Sequence, residues 1–230
     1  MTRPNLEAVL LDIDGTLVDS NDAHALAWVE ALNDAGYDVP FDRVRWLIGK
    51  GGDKLLPELT RLDEESPRGK ELVARRSEIF KRTYLSELRP FPGAKQLLER
   101  MHHDGLRLVA ATSAREDEMN ALLEITGAAH LFFQATSSSE AEHSKPDPDI
   151  VHAALRKAGC RPAAAIMLGD TPYDIDAAAK AGVRSVALRA GGWSDDKLQG
   201  ATAIFDDPQR LLAQYDQSPF AEGRSVGARG

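Results

Sequence analysis

The sequence predicts an α/β protein, with a doubly wound parallel sheet of the Rossmann type and an inserted all-helical segment. Three observations lead to this prediction. Short, nearly continuous apolar runs alternate with amphipathic stretches of helical length, which is the order typical of a parallel sheet covered by helices on both faces. Polar residues follow several of the apolar runs directly. One long stretch, residues 20–89, interrupts the alternation and contains no convincing strand.

The apolar runs supply the candidate strands. They are rich in Ala, Val, Ile and Leu, as expected for strands that are buried on both faces. In chain order they are Ala8–Ile13, Leu106–Thr112, Leu131–Ala135, Ala164–Leu168, Arg184–Leu188 and a weaker Ala201–Phe205.

Proline and glycine mark the ends of the helices that lie between these strands. Proline is tolerated in the first helical turn, and glycine is favoured just past the last turn. These signals predict helices at Gly93–His103, Asp149–Ala158 and Pro172–Ala181. Inside the interrupting stretch, apolar spacing predicts four more helices, at Ala23–Ala35, Arg43–Ile48, Lys54–Arg61 and Glu64–Leu88.

The predicted domains follow from this organisation. An α/β core of residues 1–18 and 90–217 is interrupted by a helical segment of residues 19–89, which we call the cap. The cap starts beside Asp12 and Asp14, so it can lie over them. Residues 218–230 are rich in Gly, Ser and Arg and leave little to bury, which predicts a disordered tail.

Composition narrows the classes of partner. The 230 residues include 28 Lys and Arg against 36 Asp and Glu, a formal net charge of −8, which argues against general binding to nucleic acids or anionic membranes. The longest apolar run is Ala163–Leu168, far short of the ~20 residues of a membrane span. With one cysteine and no recognisable signal peptide, we expect a cytoplasmic protein, either a monomer or a small homo-oligomer.

The residues able to do chemistry are concentrated behind the predicted strands. Parallel strands present their carboxyl ends at one edge of the sheet, where doubly wound folds bind their ligands, so residues from distant parts of the chain are expected to meet there. These residues are Asp12 and Asp14 after the first strand, Thr112 at the end of the second, Lys145 in a Pro-rich loop before a helix, and Asp170 and Asp174 after the strand that precedes Gly169.

Four carboxylates at one place would raise one another's pKa values unless a cation neutralised them. Oxygen ligands suit Mg²⁺, which also accepts an oxygen of a substrate phosphate. One carboxylate can then attack phosphorus and form an aspartyl-phosphate. A second, two residues further along the same face of the strand, can protonate the leaving oxygen and later activate water. Thr112 and Lys145 can hold the remaining phosphoryl oxygens.

These motifs, in this order, resemble the four motifs of the haloacid dehalogenase-like hydrolase superfamily. The matching segments are Asp12-Ile13-Asp14-Gly15-Thr16-Leu17-Val18-Asp19-Ser20, Thr112, Lys145-Pro146-Asp147-Pro148, and Gly169-Asp170 with Asp174. The cap resembles that of the phosphoglycolate phosphatase and β-phosphoglucomutase branch. As the family is known, its dehalogenases and phosphonate-cleaving members lack an Asp at the position of Asp14, so this residue argues for an oxygen leaving group.

The resemblance implies a role for each of these residues. Asp12 is implied as the nucleophile and Asp14 as the general acid and base. Thr112 and Lys145 are implied on the phosphoryl group. Mg²⁺ is implied on Asp12, on Asp170 and on the main-chain carbonyl of Asp14, with Asp174 either as a further ligand or next to the ligands.

Two features of the cap have two interpretations each. Some relatives carry a His that faces the substrate at the position of His24. The alternative interpretation, of equal weight, is that His24 is a half-exposed residue of a helix with no contact to the substrate. The segment Gly49-Lys50-Gly51-Gly52 resembles a cap loop that reaches the substrate, and Lys50 could meet an anionic group there. The alternative for this segment is a turn between helices with lysines at the surface.

The function predicted from these observations is a Mg²⁺-dependent phosphatase of small phosphorylated metabolites, of the phosphoglycolate or sugar-phosphate type. A sugar phosphomutase is the first alternative, and it would need cap residues such as Lys50 and Lys54 to bind a second phosphate. A non-catalytic binding protein on the same fold is the second alternative, for which degenerate motifs would be expected.

Overall fold

The apolar runs form the six strands of one parallel sheet in the computed structural model, which describes residues 5–222. The strands are β1 (Ala8–Leu11), β2 (Arg107–Ala111), β3 (Phe132–Thr136), β4 (Ala165–Gly169), β5 (Arg184–Leu188) and β6 (Ala203–Phe205). Their order is β3-β2-β1-β4-β5-β6, which confirms the predicted doubly wound class. Each predicted strand is present, with ends that differ by at most two residues.

The alternation of side chains along β1 shows why both faces of the sheet are apolar. Val9 and Leu11 enter one core cluster, and Ala8 and Leu10 enter the other. The first face is covered by α5 (Ala94–His103), α6 (Glu116–Ile125) and α9 (Pro208–Ala213), and the second by α7 (Asp149–Ala158) and α8 (Pro172–Lys180). Because β1 lies between β2 and β4, its carboxyl end is the point where the winding direction reverses.

The helices α5, α7 and α8 confirm the predictions made from proline and glycine, whereas α6 and α9 were not predicted. Helix α6 begins at Glu116, and no side chain caps its N-terminus. Its N-cap position has no Ser, Thr or Asn that would predict a helix start. Its buried face, Met119, Leu122 and Leu123, has helical spacing. No helix among residues 5–222 combines the length and the apolar character needed to cross a bilayer.

The cap is helical in the structure and has no named strand between residues 19 and 89. Its helices are α1 (Asn21–Asp34), α2 (Phe41–Arg45), α3 (Gly52–Thr60) and α4 (Pro67–Ile79), and a π-helical turn, Phe80–Tyr84, and a 3₁₀ turn, Leu85–Glu87, continue α4. The predicted single helix Glu64–Leu88 is wrong at both ends, since α4 starts after its N-cap Ser66 and changes its winding at Phe80. The two connections to the core run side by side, with the Asp19 amide donating to the Arg89 carbonyl at 3.1 Å.

The predicted disorder from residue 218 onward is wrong for residues 218–222, and residues 223–230 lie outside the described part of the chain. Pro219–Ala221 forms a 3₁₀ turn, in which the Ser218 hydroxyl accepts from the Phe220 amide. The Phe220 ring is fully buried and stacks on Tyr215 with 6.3 Å between the centroids. A single aromatic anchor therefore orders a segment whose average composition indicates disorder.

We expect Phe220→Ala to lower the free energy of unfolding by about 3–5 kcal/mol, because it removes a fully buried ring. Urea denaturation of the purified chain measures this change. Phe133→Ala is the matched control, since Phe133 is 55% exposed and its loss should change stability by less than about 0.5 kcal/mol. Equal stability of the two variants would mean that the segment around Phe220 does not pack on the core.

Candidate active site

A small cavity lies at the carboxyl ends of β1 and β2, beneath the cap. Its volume is about 50 Å³. Six of the residues predicted from the sequence line it together: Asp12, Asp14, His24, Gly49, Lys50 and Thr112. The remaining three, Lys145, Asp170 and Asp174, are buried beside Asp12. The structure therefore brings the predicted residues of core and cap to one place.

The turn after β1 positions the first two carboxylates. The Asp12 amide still donates to the Leu168 carbonyl at 2.9 Å, so Asp12 continues the pairing of β1 with β4. Gly15 then reverses the chain with a φ of +73°, a conformation that L side chains rarely adopt. A Cβ at Gly15 would lie 2.3 Å from Oδ2 of Asp170, so this glycine also permits the close approach of the two motifs.

Three buried carboxylates from distant segments form a cluster. Oxygens of Asp12, Asp170 and Asp174 all lie within 4.8 Å of one another. Burial and the neighbouring charge of Asp174 raise the pKa of Asp170 to about 7. Burial also raises the pKa of Asp12 well above its usual value, and repulsion from the neighbouring carboxylates raises it further. The attraction of Lys145 lowers this pKa, but by less than the other two effects raise it. The cluster thus holds more negative charge than its protein partners neutralise.

Lys145 joins two members of this cluster. Its ammonium donates to Oδ1 of Asp12 at 2.5 Å and to Oδ1 of Asp174 at 2.7 Å, and it has a longer contact of 3.2 Å to the Ala111 carbonyl. Burial by itself would lower the pKa of Lys145, but the charges of the two carboxylates outweigh burial and raise it. Lys145 therefore stays protonated and holds one oxygen of Asp12, whose other oxygen accepts no hydrogen bond among the described residues.

The N-terminus of α8 orients Asp174. The Thr171 hydroxyl accepts from the Asp174 amide, and the Asp174 carboxylate accepts in turn from the Thr171 amide at 3.0 Å, which forms a capping box. Asp170 is fixed from the β1 side, where Thr16 and Asn21 donate to its two oxygens at 2.9 and 3.0 Å.

This cluster fits a divalent cation. Three carboxylates face one ammonium, and hard oxygen ligands of this kind suit Mg²⁺. A second observation agrees: Oδ1 of Asn21 is buried without a hydrogen-bond partner, although the Nδ2 of the same side chain contacts Asp170. A cation or its bound water would provide the missing partner for this oxygen. The carboxylate of Asp14 is outside this cluster, and the resemblance implies only its main-chain carbonyl as a ligand.

The side chain of Asp14 turns toward the cap. Its Oδ1 accepts from the Ser20 hydroxyl at 2.5 Å and lies 2.8 Å from Nε2 of His24. Burial by itself would raise the pKa of Asp14, but His24, Ser20 and the nearby charge of Arg76 outweigh burial and lower it. His24 is buried and lines the cavity, so the alternative of a half-exposed helical residue is wrong.

The loop before α3 docks onto the core next to the cavity. Its Gly49 carbonyl accepts from the Ser113 hydroxyl at 3.1 Å, and its Gly51 amide donates to the Ser144 hydroxyl at 2.9 Å. The Ser113 hydroxyl is thus engaged by the cap. The Thr112 hydroxyl, in contrast, only accepts a hydrogen bond, from the Ala114 amide at 3.0 Å. The hydroxyl hydrogen of Thr112 has no protein acceptor in the described part of the chain and remains available to a ligand.

Two of the lysines of the cap, Lys50 and Lys54, are held by carboxylates. Lys50 donates to Glu58 at 2.6 Å and lies over the ring of Tyr173, with 5.0 Å between its Nζ and the centroid. Lys54 pairs with Asp147 of the core at 2.8 Å. Lys50 is therefore neither a surface lysine of a simple turn nor a free ammonium in the cavity.

Sequence reasoning missed Asn21, Arg76 and Glu118. Asn21 follows Ser20 directly and was available as part of the extended first motif. Arg76 and Glu118 gave no local signal, because a charged residue on an amphipathic helix usually faces solvent. Only the packing of α4 against the core shows that Arg76 lines the cavity and that Glu118 is fully buried.

Comparison with known proteins agrees with this geometry. A family model described as haloacid dehalogenase-like hydrolase matches residues 9–188. The chain is 29% identical over 214 residues to the probable phosphatase IndB of Dickeya dadantii, with 91% of this chain and 90% of that protein covered. It is 31% identical over 222 residues to a phosphoglycolate phosphatase of Vibrio cholerae, with 90% and 96% covered.

A crystal structure of a hydrolase from Pseudomonas syringae matches with a TM-score of 0.86 and 28% identity, over 92% of this chain and 98% of that one. The fold and site thus define an enzyme with a Rossmann-like core, a hydrolase. The chain belongs to the haloacid dehalogenase-like hydrolase family. The resemblance predicted from the four motifs is confirmed.

The tight approach at Gly15 generates a stability prediction. Gly15→Ala and Gly36→Ala both place alanine at a positive φ, +73° and +85°, so both should lose about 1 kcal/mol to backbone strain. At Gly36 a Cβ meets nothing within 4 Å, whereas at Gly15 it meets the Asn21 amide and the Asp170 carboxylate.

We therefore expect Gly15→Ala to lower the free energy of unfolding by about 2 kcal/mol more than Gly36→Ala, because it breaks a buried hydrogen bond. Urea denaturation compares the two variants. Indistinguishable midpoints would show that the two motifs do not approach each other as closely as the structure indicates.

Proposed function

We propose that this hydrolase is a Mg²⁺-dependent phosphatase of small phosphorylated metabolites, acting through an aspartyl-phosphate. One observation carries the proposal: the Asp12 carboxylate lines the cavity with one oxygen that accepts no hydrogen bond from residues 5–222, while carboxylates from a distant motif lie beside it. A nucleophile needs access to the ligand, and phosphate needs positive charge nearby. The names of the relatives support the same class of reaction.

The proposed reaction has two steps. In the first, an oxygen of Asp12 attacks phosphorus, the bond from phosphorus to the leaving oxygen breaks, and Asp14 in its protonated form, which its lowered pKa makes the minor form, gives its proton to that oxygen. In the second, water attacks the phosphorus of the aspartyl-phosphate while Asp14 takes a proton from the water. The bond between phosphorus and Asp12 then breaks, which releases inorganic phosphate and restores the Asp12 carboxylate.

Asp12, Asp170 and the main-chain carbonyl of Asp14 would hold Mg²⁺, with Asp174 alongside. When bound, the ion neutralises charge on the carboxylates and on the transferring phosphoryl group. Lys145 keeps one oxygen of Asp12 fixed, which leaves the other oxygen for attack. The Thr112 hydroxyl is proposed to donate to a phosphoryl oxygen, since it lines the cavity with its hydrogen unused.

The cap is proposed to exclude bulk water and to contact the leaving group. Ile48 and Gly49 of the cap and Thr112 of the core line the 50 Å³ cavity. A larger cleft of about 720 Å³ between cap and core shares part of its lining with the cavity, including Trp28 and Lys50. A leaving group of the size of glycolate or a sugar fits this cleft, so we keep both substrate types in the proposal.

The phosphomutase alternative gains no support from the described contacts. It needs cap residues that bind a second phosphate, and both lysines considered for this task are paired with carboxylates, Lys50 with Glu58 and Lys54 with Asp147. The non-catalytic alternative expects degenerate motifs, and the chain keeps all four. We therefore propose hydrolysis alone.

The direct test is phosphate release from a panel of phosphomonoesters that includes phosphoglycolate and hexose monophosphates. We expect Mg²⁺-dependent release that EDTA abolishes, and a loss of at least about 1,000-fold in Asp12→Asn because an amide is a poor nucleophile. Release from Asp12→Asn at the wild-type rate would contradict the proposal. Production of an isomeric sugar phosphate without free phosphate would favour the mutase instead.

The role of Asp14 predicts a dependence on the leaving group. We expect Asp14→Asn to lower kcat/KM about 100-fold for an alkyl phosphate but less than about tenfold for p-nitrophenyl phosphate, whose leaving oxygen needs little protonation. Because kcat/KM reports only the steps up to departure of the leaving group, later hydrolysis of the aspartyl-phosphate does not obscure the comparison. Equal losses on both substrates would remove Asp14 as the acid.

A further inference from the structure

Glu118 is a fully buried carboxylate that the proposed reaction does not use. It lies in the first turns of α6 on the core, and all its side-chain partners come from the cap. Both of its oxygens accept from Nη1 of Arg76, at 2.9 and 2.7 Å, and one also accepts from the Ser77 hydroxyl at 2.7 Å. Burial by itself would raise the pKa of Glu118, but the charge of Arg76 and the hydrogen bonds from Ser77 and Arg76 outweigh burial and lower it. Glu118 is thus an ionised anchor for α4.

The second terminal nitrogen of Arg76 reaches His24. Nη2 of Arg76 lies 2.5 Å from Nδ1 of His24. A guanidinium has only donors, so Nδ1 of His24 must be the acceptor and carries no hydrogen. The neutral ring then carries its hydrogen on Nε2, which is the nitrogen 2.8 Å from Oδ1 of Asp14. Arg76 therefore selects the tautomer in which His24 donates to Asp14.

The imidazole is also held from the side. The ring of His24 stacks on the ring of Phe80, with 4.0 Å between the centroids and 11° between the planes. The guanidinium of Arg76 lies over Phe80 and Trp28, at 5.3 and 5.6 Å from their centroids. These contacts restrict the side chains that connect Glu118 to Asp14. A displacement of Glu118 therefore also displaces the group that holds Asp14.

We infer that Glu118 is a positioning residue for the acid and base of the reaction. It holds Arg76, Arg76 fixes the tautomer of His24, and His24 together with Ser20 holds Oδ1 of Asp14, which leaves the second oxygen of Asp14 to face the leaving group. The inference rests on the proposed function, because it needs Asp14 to exchange a proton with substrate and water.

This series of contacts also connects the core to the cap. Glu118 belongs to the core, whereas Arg76, Ser77 and His24 belong to the cap. The contacts are complete only while α4 lies against α6, which is the arrangement that covers the cavity. Glu118 thus links orientation of Asp14 to coverage of the site.

The test is Glu118→Gln, which keeps the volume and an acceptor but removes the charge that orients Arg76. We expect kcat/KM for an alkyl phosphate to fall about tenfold and kcat/KM for p-nitrophenyl phosphate to change less than about twofold, because only the first needs a well-placed acid. Glu124→Gln is the matched control. It makes the same chemical change at an exposed residue of the same helix that lines neither the cavity nor the cleft, and it should leave both substrates within about twofold of wild type.

Arg76→Met provides a second variant that breaks the same series of contacts. We expect it to show the same selective loss on the alkyl phosphate, and we expect Glu118→Gln to add nothing further in the Arg76→Met background. Thermal unfolding by circular dichroism verifies that each variant is folded. Equal losses on both substrates in Glu118→Gln, or a loss no greater than that of Glu124→Gln, would overturn the inference.

Asp14→Asn separates this inference from the function on which it rests. A selective loss in Asp14→Asn without one in Glu118→Gln overturns the positioning role and leaves the phosphatase proposal intact. No selective loss in Asp14→Asn overturns the acid role itself, and with it the inference. A selective loss in both variants, with no further selective loss when Glu118→Gln is combined with Asp14→Asn, supports the whole chain of contacts.

Discussion

The excess of buried negative charge at the end of β1 is the constraint on which the rest of this structure depends. Three carboxylates, Asp12, Asp170 and Asp174, lie within 4.8 Å of one another, and one ammonium, that of Lys145, is buried with them. Such a cluster is unfavourable unless a cation completes it. The turn at Gly15 and the capping box of α8 are the local structures that hold the carboxylates in place despite their repulsion.

The cap partly covers this charged edge of the sheet. Its loop at Gly49 and Gly51 is hydrogen-bonded to the core, and its helix α4 reaches the core again through Arg76 and Glu118. The hydrogen bonds of the loop hold it over the cavity. The contact between Arg76 and Glu118 orients the Asp14 carboxylate through His24. Covering the site and arranging its chemistry are therefore consequences of the same packing.

The sheet and the four motifs were predictable because their signals are local. A strand buried on both faces must be apolar along its length, and β5 was predicted residue for residue on that ground. Asp12, Thr112 and Asp170 follow strands directly, and Asp14 and Asp174 lie within five residues of a strand end. The geometry of a parallel sheet therefore places all five at one edge. Where local signals were weak, prediction failed: no side chain caps the N-terminus of α6, and Phe220 is a single aromatic anchor in a polar segment.

By itself, the sequence determined the fold class, the hydrolase family and the residues that meet at the carboxyl end of the sheet, since each depends on a short run of residues or on the order of such runs. Only the tertiary structure decided which partner each buried charge has. Lys145 is 133 positions from Asp12, and Glu118 is 42 positions from Arg76. Periodicity shows that a helix has a buried face, but it does not say which charged residue of another element that face will meet.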